Sequence, residues 1–337
     1  SQRWQEYLAY QKEFLLEDGT KGFNFGLKPK TAKTSALIKA KPSFWARFPN
    51  LKGKWDGKST INHWDAAKRV LGDKVEDLIQ MQPRGTCGGR GGSATMDFVQ
   101  CIMLAAGKVN FKFSRTSHAA VYVTARQESG MSFSGDWRDE NNDGVGSGSV
   151  PEALTKLGVV KRVDDGDEKW YGDGSDDLAC QLAVGMHQDI YKKILELGKE
   201  HIVTDWAPVH SAAELADGIA SGGCAVISDS LGFTMTRDNN GFCRISGQWG
   251  HYHCHPGVGV WGGRPGVVYF QSWGKQAPSG PVPEGCPPNC FIVSMDDMDT
   301  MISQGDAAVM FAFNPWDVGP APTPPDLDIN IDWANVP

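Results

Sequence analysis

The sequence lacks the cysteine density of a disulfide-held scaffold, and it lacks long apolar runs and clustered positive charge. Its 337 residues include 8 Cys, a density far below that of a disulfide-held scaffold, and no disulfide pairing follows from their spacing. The longest apolar runs are a handful of residues, so we expect no membrane span, and the polar start SQRWQEYLAYQKEF predicts no retained signal peptide. No basic run exceeds two residues and the net charge is −7, which argues against a nucleic-acid partner.

Glycine is abundant instead. The chain has 40 Gly, about 12% against a usual ~7%, together with 12 Trp. Many glycines indicate tight turns and close backbone approaches, and the large aromatic side chains supply the buried area that glycine lacks. With 40% hydrophobic and 22% charged residues, this composition predicts a folded, loop-rich α+β protein of one large domain or about two ordinary ones.

Helical spacing dominates the first third of the chain. Apolar residues at helical spacing predict a helix over residues 1–17, and the Lys-, Pro- and Gly-rich stretch 19–51 predicts an extended arm. A second helical pattern over residues 59–82 is expected to break at Gly72. After the glycine-rich stretch RGTCGGRGG, Ser93 is expected to cap a buried helix that ends at Gly107.

The second half predicts short helices and a sheet. Ser149 with Glu152 and Ser211 with Glu214 match the capping box, in which Ser is followed three residues later by Glu. From Asn314 the Pro- and Asp-rich tail reads as an extended segment. Strand-length apolar runs separated by turn residues are CAVIS (224–228), GVGVW (257–261), GVVYFQSW (266–273), CFIVSM (290–295) and AAVMFAF (307–313).

Among the cysteines, Cys87 is the best placed for chemistry. It lies in a glycine-rich turn immediately before a predicted helix, where the helix dipole and free N–H groups lower a thiol pKa and can receive an oxyanion. The alternative is a small residue in a tight turn, since free cysteine is usually buried filler.

Three histidines form the second candidate cluster. His251, His253 and His255 lie at alternate positions of GHYHCHPGVGVW, so a strand would place all three on one face. Such a face suits a general base, a polar rim or a metal site completed by Cys254 or Cys243. Without paired CxxC or HxxxH spacing, we expect no metal.

These features together resemble the papain-like cysteine peptidases, especially bacterial members. The family's nucleophile ends a Gln-containing stretch RGTC, and here QPRGTC contains Gln82 and Cys87. The family has a His opening a strand and, about sixteen residues later, an Asn in NSWG. Here His255 opens HPGVGVW and Gln271 opens QSWG, 271 minus 255 or 16 residues apart. Further segments at 117–126, 147–160, 212–230, 290–298 and 307–313 extend the resemblance over roughly residues 75–313.

The resemblance implies an α+β, papain-like two-lobed fold, with a helix-rich lobe facing an antiparallel β-rich lobe. It implies a papain-like domain at residues 76–313, preceded by an N-terminal helix and arm at 1–75 and followed by an extended tail at 314–337. The active cleft would lie between the lobes.

The resemblance also assigns roles to site residues. Cys87 would attack a carbonyl carbon, His255 would hold it as thiolate and protonate the leaving amine, and Gln271 would orient the imidazole. Gln82 would complete the oxyanion hole and Trp273 would shield the orienting hydrogen bond. The residues expected to line the cleft and pair with the substrate backbone are Gly146, Ser147, Gly148 and Ser149.

The chain departs from the family's pattern around the nucleophile. Four glycines replace the aromatic or aliphatic residue that follows it, and each costs up to ~1 kcal/mol of helix stability, which predicts a late helix start. Gln82 precedes Cys87 by five residues rather than six, and Gln271 is one methylene longer than Asn. A second registration aligns GTCGGRGG with the family's doubled-Cys motif GSCGSCWA, which would place Arg90 at the nucleophile and leave the site inactive.

Acidic segments predict surface turns. DENNDG (139–144) matches half of a calcium loop, but Val150 stands where the loop needs Glu, so an Asx-rich turn is favoured. The stretches 164–168 and 173–177 are predicted to be solvated loops. Cys286 and Cys290 are predicted to be two small residues in a Pro turn.

Three hypotheses follow. The first is a cysteine peptidase or amidase acting on a peptide or protein substrate without a cofactor. The second is a catalytically inactive papain-fold structural or interaction protein of a large assembly such as a virion, whose terminal arms contact neighbouring subunits. The third makes residues 1–75 a propeptide-like inhibitor lying in the cleft. The expected location is cytoplasmic or virion-associated.

Overall fold

A computed structural model describes most of the chain. The described parts are residues 13–15, 21–24, 27–28, 36, 38–107, 109–131, 133–139, 142–162, 176–275 and 277–316. Within them, no helix combines the length and apolar character needed to cross a bilayer.

Nine helices and eleven strands are described. The helices are α1 (Phe44–Arg47), α2 (Trp64–Leu71), α3 (Cys87–Ala105), α4 (His118–Glu128), α5 (Ser149–Lys156), α6 (Asp176–Ala183), α7 (Gln188–Gly198), α8 (Ala212–Ala220) and α9 (Met295–Gln304). The strands are β1 (Glu13–Leu15), β2 (Lys21–Asn24), β3 (Leu27–Lys28), β4 (Ile61–Asn62), β5 (Val145–Gly146), β6 (Val203–Pro208), β7 (Cys224–Phe233), β8 (Ile245–Trp261), β9 (Arg264–Phe270), β10 (Cys290–Ser294) and β11 (Asp306–Phe313). Short 3₁₀ turns occur at Pro49–Leu51 and Gly72–Leu78.

The large sheet is mainly antiparallel. Its main path runs β1-β2-β8-β7-β11-β6, with β4 and β9 also paired to β8 and β10 paired to β9. The pairing of β2 with β8 is parallel, and β3 pairs in parallel with β5 in a separate small sheet. All five predicted strands of the second half are present, because short apolar runs bounded by turn residues are a local signal.

Alternate residues of the strands build two hydrophobic cores. In β7, Cys224 and Val226 face one core while Ala225 and Ile227 face the other. The first core also contains buried residues of α3, α4, α5 and α6, and the second contains those of α8 and α9. The period-2 alternation of a strand therefore divides the molecule into a helix-rich half and a sheet-rich half, which confirms the expected α+β fold class.

The N-terminal region differs from its sequence-based interpretation. Glu13–Leu15 form a strand paired with β2, so the predicted helix over residues 1–17 is wrong there, and its remainder lies outside the described residues. The arm predicted to be extended contains α1, capped by the Ser43 side chain. The tail from residue 314 is described only as far as Trp316.

Residues 43–55, here called the N-terminal strap, are fastened to α8. One carboxylate, Asp217, accepts hydrogen bonds from Trp45 Nε1 at 2.8 Å, Gly53 N at 2.7 Å and Trp55 N at 2.9 Å. One helical turn earlier, Glu214 accepts from the Ser43 hydroxyl at 2.7 Å. Hydrogen bonds to a charged acceptor are the stronger kind, so these two carboxylates make the strap part of the folded body.

Two predicted helix starts have different outcomes. The Ser211 hydroxyl accepts from Glu214 N at 3.1 Å, as the capping box predicts. At α5 the capping residue is Gly148 in the left-handed conformation, and the Ser149 hydroxyl donates to the Gly146 carbonyl at 2.6 Å instead. The predicted break at Gly72 is confirmed, because α2 ends there and a 3₁₀ turn follows.

Candidate active site

Helix α3 begins at Cys87 and its capping position is Thr86, seven residues before the predicted cap at Ser93. The glycines after Cys87 bring the helix close to its neighbours: a Cβ at Gly89 would lie 2.4 Å from the His118 carbonyl oxygen of α4, and one at Gly91 would lie 3.1 Å from the His253 nitrogen of β8. The late start predicted from propensity is wrong because tertiary packing outweighs the cost of glycine in a helix.

Cys87 is fully buried at the first turn of this helix. Burial raises the pKa of its thiol to about 12, although hydrogen bonds with the backbone of Tyr252 and Gly88 act in the opposite direction. The desolvation of a charged sulfur therefore outweighs the favourable effect of the helix terminus, and the thiol form dominates at neutral pH.

The three histidines lie in a row on one face of β8, as the alternation predicts. Neighbouring ring centroids are 5.8 Å apart for His251–His253 and 4.8 Å for His253–His255. All three are buried, and burial lowers the pKa of each well below its ordinary value. In the described part of the chain, no group of three His, Cys, Asp or Glu side chains is arranged to hold a metal ion.

His255 belongs to a hydrogen-bonded chain. Its Nε2 is 2.7 Å from His253 Nδ1, and its Nδ1 is 3.0 Å from the Val268 carbonyl oxygen. His253 Nε2 in turn lies 2.6 Å from Asp229 Oδ2. Both nitrogens of His255 are therefore engaged within the sheet. Sequence reasoning missed Asp229, whose contact is created by the β7–β8 register, which pairs Asp229 with His251.

Gln271 is buried but its amide is used elsewhere. Its Nε2 donates to the Ala277 carbonyl at 3.1 Å, and its backbone carbonyl accepts from Asn289 Nδ2 at 2.5 Å. Since Val268 and His253 already engage both nitrogens of His255, the orienting hydrogen bond from Gln271 to His255 that the resemblance implies is not formed.

Gln82 and Trp273 also have specific contacts. Gln82 Nε2 donates to the Arg84 carbonyl at 2.6 Å, and Gln82 Oε1 accepts from the Ser272 hydroxyl at 2.7 Å. The Trp273 indole stacks on His251, with ring centroids 4.9 Å apart and planes inclined by 19°. The indole thus covers a histidine of the row, but the histidine is His251 and not His255.

Arg90 is the buried cation of this region. Its Nη2 donates to Asp176 Oδ1 at 3.0 Å, and its Nη1 donates to Gln80 Oε1 at 3.0 Å. Thr86 Oγ1 donates to the same Asp176 oxygen at 2.6 Å, and His118 Nε2 lies 3.2 Å from it. Although burial acts to raise it, His118 and Arg90 hold the pKa of Asp176 below its ordinary value.

The burial of Asp176 overturns one expectation. The acidic stretch 173–177 is expected to be a solvated loop, yet Asp176 is buried at the start of α6, while residues 173–175 lie outside the described residues. A buried arginine needs a counter-ion, so Arg90 in the glycine run is the signal that points to a buried acid elsewhere. The sequence does not say which acid, because the two residues are 86 positions apart.

A small cavity brings three candidate residues together. Arg90, His253 and Gln271 line a space of about 10 Å³, which is about the room that one water requires. The other lining residues are Gln80, Gly91, Ala94, Tyr252, Phe270 and Ser272. Of the three α3 residues in this lining, Arg90 is the charged one.

The predicted cleft-lining residues are buried and bonded to the chain itself. The Gly146 carbonyl accepts from the Tyr252 hydroxyl at 2.6 Å, and the Ser147 hydroxyl contacts Ser228 at 2.8 Å and Asp306. Gly148 caps α5. Gly146 also belongs to β5, and its backbone is paired with Lys28 of β3.

The N-terminal strands reach both halves of the molecule. β3 pairs with β5 through Leu27–Val145 and Lys28–Gly146, and β2 pairs with β8. Gly250 of β8 faces Leu27, because a Cβ at Gly250 would lie 2.8 Å from the Leu27 carbonyl oxygen. Residues of the chain itself thus occupy the strand edge where the resemblance places a substrate.

Comparisons with known proteins give structural neighbours alone. No family model matches the sequence, and no curated protein matches it. Among solved structures, the chain is similar to xylellain, a cysteine protease from Xylella fastidiosa, with 14% identity over 85% of this chain and 91% of that one and a TM-score of 0.48. It is also similar to procathepsin L 3 of Tenebrio molitor, with 12% identity, coverage of 83% and 79% and a TM-score of 0.49. The third is proCathepsin B S9 from Trypanosoma congolense, with 12% identity, coverage of 74% and 75% and a TM-score of 0.43.

Proposed function

We propose that this chain is a papain-like protein without peptidase chemistry, acting as a structural or interaction component. The observation that carries the proposal is the position of Arg90. It lines one small cavity with His253 and Gln271 and is paired with Asp176. This arrangement supports the registration in which Arg90 replaces the nucleophile of the papain-like site.

An arginine at this position cannot perform the reaction. Nucleophilic catalysis needs a group that attacks a carbonyl carbon and a base that accepts its proton. A guanidinium remains protonated and has no lone pair to offer as a nucleophile. Here its nitrogens are also committed to Asp176 and Gln80, so the side chain acts as one half of a buried ion pair.

The remaining thiol is poorly suited to replace it. Burial raises the pKa of Cys87 to about 12, so the thiol form dominates at pH 7, whereas catalytic cysteines have pKa values well below that of free cysteine. The base assigned to it, His255, shares one nitrogen with His253 and the other with the Val268 carbonyl. Both partners of the proposed catalytic pair are thus in unreactive environments.

A latent peptidase is the second candidate. It is favoured by the pairing of β3 with β5 and of β2 with β8, because a removable N-terminal segment at the substrate edge would act as a cover. Peptides that bind by strand addition need a free edge, and this edge is filled. Removing β3 would free that edge but would leave the Arg90–Asp176 pair in place, so the first proposal is preferred.

Alkylation of the native protein tests the proposal. Iodoacetamide is applied from pH 4 to pH 9, the label is located by mass spectrometry, and urea-unfolded protein is the positive control. A Leu27→Asp variant removes the apolar side chain that β3 packs against the helix-rich core, so it tests whether a displaced cover uncovers a reactive thiol.

We expect no fast labelling of Cys87 below pH 7 in either protein. Fast labelling in the parent chain, abolished by His255→Ala, would overturn the proposal and establish a thiolate–imidazolium pair. Fast labelling confined to Leu27→Asp would overturn it in favour of the latent peptidase. Circular dichroism of each variant verifies that a change in labelling does not result from unfolding.

A further inference from the structure

The buried chain Asp229–His253–His255 contains more hydrogen bonds than its ordinary protons can supply. Three hydrogen bonds link the Val268 carbonyl to His255, His255 to His253, and His253 to Asp229, at 3.0, 2.7 and 2.6 Å. Each needs one proton between its two heavy atoms. Two neutral imidazoles and a carboxylate together carry two protons, so one more is required.

The position of the first proton is fixed by chemistry. A carbonyl oxygen is an acceptor only, so His255 Nδ1 must carry the proton that faces Val268. The other two contacts then hold two protons among His255 Nε2, His253 and Asp229. Whether the added proton is on the carboxyl group or on an imidazole, the three side chains have a net charge of zero, which is the charge state that a buried site favours.

We infer that Asp229, His253 and His255 hold a third, shared proton that fastens β7, β8 and β9 together, and that alkaline solution removes it. Hydroxide takes the proton from the Asp229–His253 contact and becomes water. The site is then left with one uncompensated negative charge and with two lone pairs facing each other across a contact of about 2.6 Å. That arrangement is repulsive and buried, so the strand pairing beside the small cavity is weakened.

The surroundings agree with a proton that is held tightly and lost above neutrality. Burial raises the pKa of Asp229 to about 8, although the hydrogen bond from the Leu231 backbone opposes this. Tyr269 of β9 stacks on His253 with ring centroids 4.1 Å apart, which excludes water from that face. The titratable and charged groups around the chain are His251 and Tyr252 on β8, Tyr269 on β9, Cys87 and Arg90 on α3 and Asp306 on β11.

The variant Asp229→Asn removes the shared ionisable proton and keeps the hydrogen bonds. Its amide can donate an N–H to His253 Nε2, so all three hydrogen bonds are kept while no ionisable proton remains at that position. The matched control is Asp205→Asn, which changes a partly buried carboxylate of the sheet whose partner is Arg47 at 3.3 Å. The control removes a carboxylate without touching the histidine chain.

Two measurements test the inference on the full chain. In NMR spectra of the nitrogen-15-labelled protein at pH 6.5, the nitrogen shifts of His255 are expected to show a protonated Nδ1. The proton spectrum is expected to show a far-downfield resonance from the proton between His253 and Asp229. The thermal midpoint of the parent chain and of Asp205→Asn is expected to fall as the pH rises from neutrality to about 8, where the folded chain binds one proton more than the unfolded chain, and to level off above that pH, whereas that of Asp229→Asn stays level over the same interval.

An unprotonated His255 Nδ1 would overturn the inference, as would an equal alkaline fall in Asp229→Asn. A parent chain with no alkaline fall would also overturn it. If Asp229→Asn does not fold, the nitrogen-15 spectra of the parent protein across the same pH range decide the question, because loss of the shared proton must shift the His253 and His255 resonances together. The inference is independent of whether the protein hydrolyses peptides.

Discussion

Replacing Gly89 by alanine tests whether the glycine run of α3 is a packing requirement. In an exposed helix interior this substitution stabilises by up to about 1 kcal/mol, since alanine has the higher helix propensity. Here the new Cβ would lie 2.4 Å from the His118 carbonyl oxygen and 2.9 Å from Tyr122 Cβ. The obstructing atom is backbone, so α3 and α4 must move apart.

Overpacking of this kind costs about 1–3 kcal/mol, and the gain in propensity offsets part of it. We therefore expect Gly89→Ala to lower the free energy of unfolding by about 1–2 kcal/mol. Urea unfolding followed by circular dichroism measures the change, which should appear as a lower midpoint at an unchanged slope.

The matched control is Gly218→Ala in α8. There the new Cβ would meet the methyl groups of Val309 at 3.1 Å, and a side chain can rotate where a backbone carbonyl cannot. We expect this variant to be nearly neutral. If Gly89→Ala instead raised the free energy of unfolding, as it does in an ordinary helix, the packing explanation for the early start of α3 would be refuted.

Three further predictions concern buried titratable groups. Arg90→Met leaves the Asp176 carboxylate buried without its cation and should lower the free energy of unfolding by about 3–5 kcal/mol, with most of it restored by adding Asp176→Leu; an unchanged urea midpoint in the single variant would contradict this. Asp217→Ala removes three hydrogen bonds to a charged acceptor and should cost at least about 2 kcal/mol, and limited proteolysis should then cut the N-terminal strap, whereas a strap that resists cleavage would contradict its role as an anchor. Burial lowers the pKa of His63 and of His118 from 6.5 to about 4, so the contribution of each neutral histidine to stability, about 3 kcal/mol, is complete above pH 6.5 and is lost as the pH falls towards 4. Urea unfolding at several pH values measures how the free energy of unfolding changes with pH. A His63→Asn variant with the same pH dependence as the parent chain would contradict the assignment to His63.

The strands of the second half could be predicted because their signals are local. A run such as CAVIS is apolar on both faces, and the structure buries both faces of β7 between the two cores. The start of α3 could not be predicted from the same kind of evidence. Propensity disfavours GGRGG in a helix, but the close approach of α4 and β8 leaves no room for larger side chains. That constraint exists only once the helices are assembled.

The candidate site, like the fold, could be predicted from the sequence only in part. The alternation of His251, His253 and His255 predicted a shared face, and their rings do lie in a row. Their partners could not be read from the sequence. Asp229 reaches His253 through the register of β7 with β8, and Asp176 reaches Arg90 from a helix 86 positions away. Partner choice is a property of the assembled fold, and it decides whether a titratable residue is reactive or structural.

The arrangement of charges supports a structural role for the region around α3. A reactive site keeps at least one nucleophile or base with an uncommitted lone pair in reach of a substrate. Here Arg90 is neutralised by Asp176, and His253 is bonded on both nitrogens to Asp229 and His255. These contacts join α3 to α6 and β7 to β8. These buried polar contacts therefore fix α3 against α6 within the helix-rich half and β7 against β8 within the sheet, and removing either carboxylate should affect stability before it affects any chemistry.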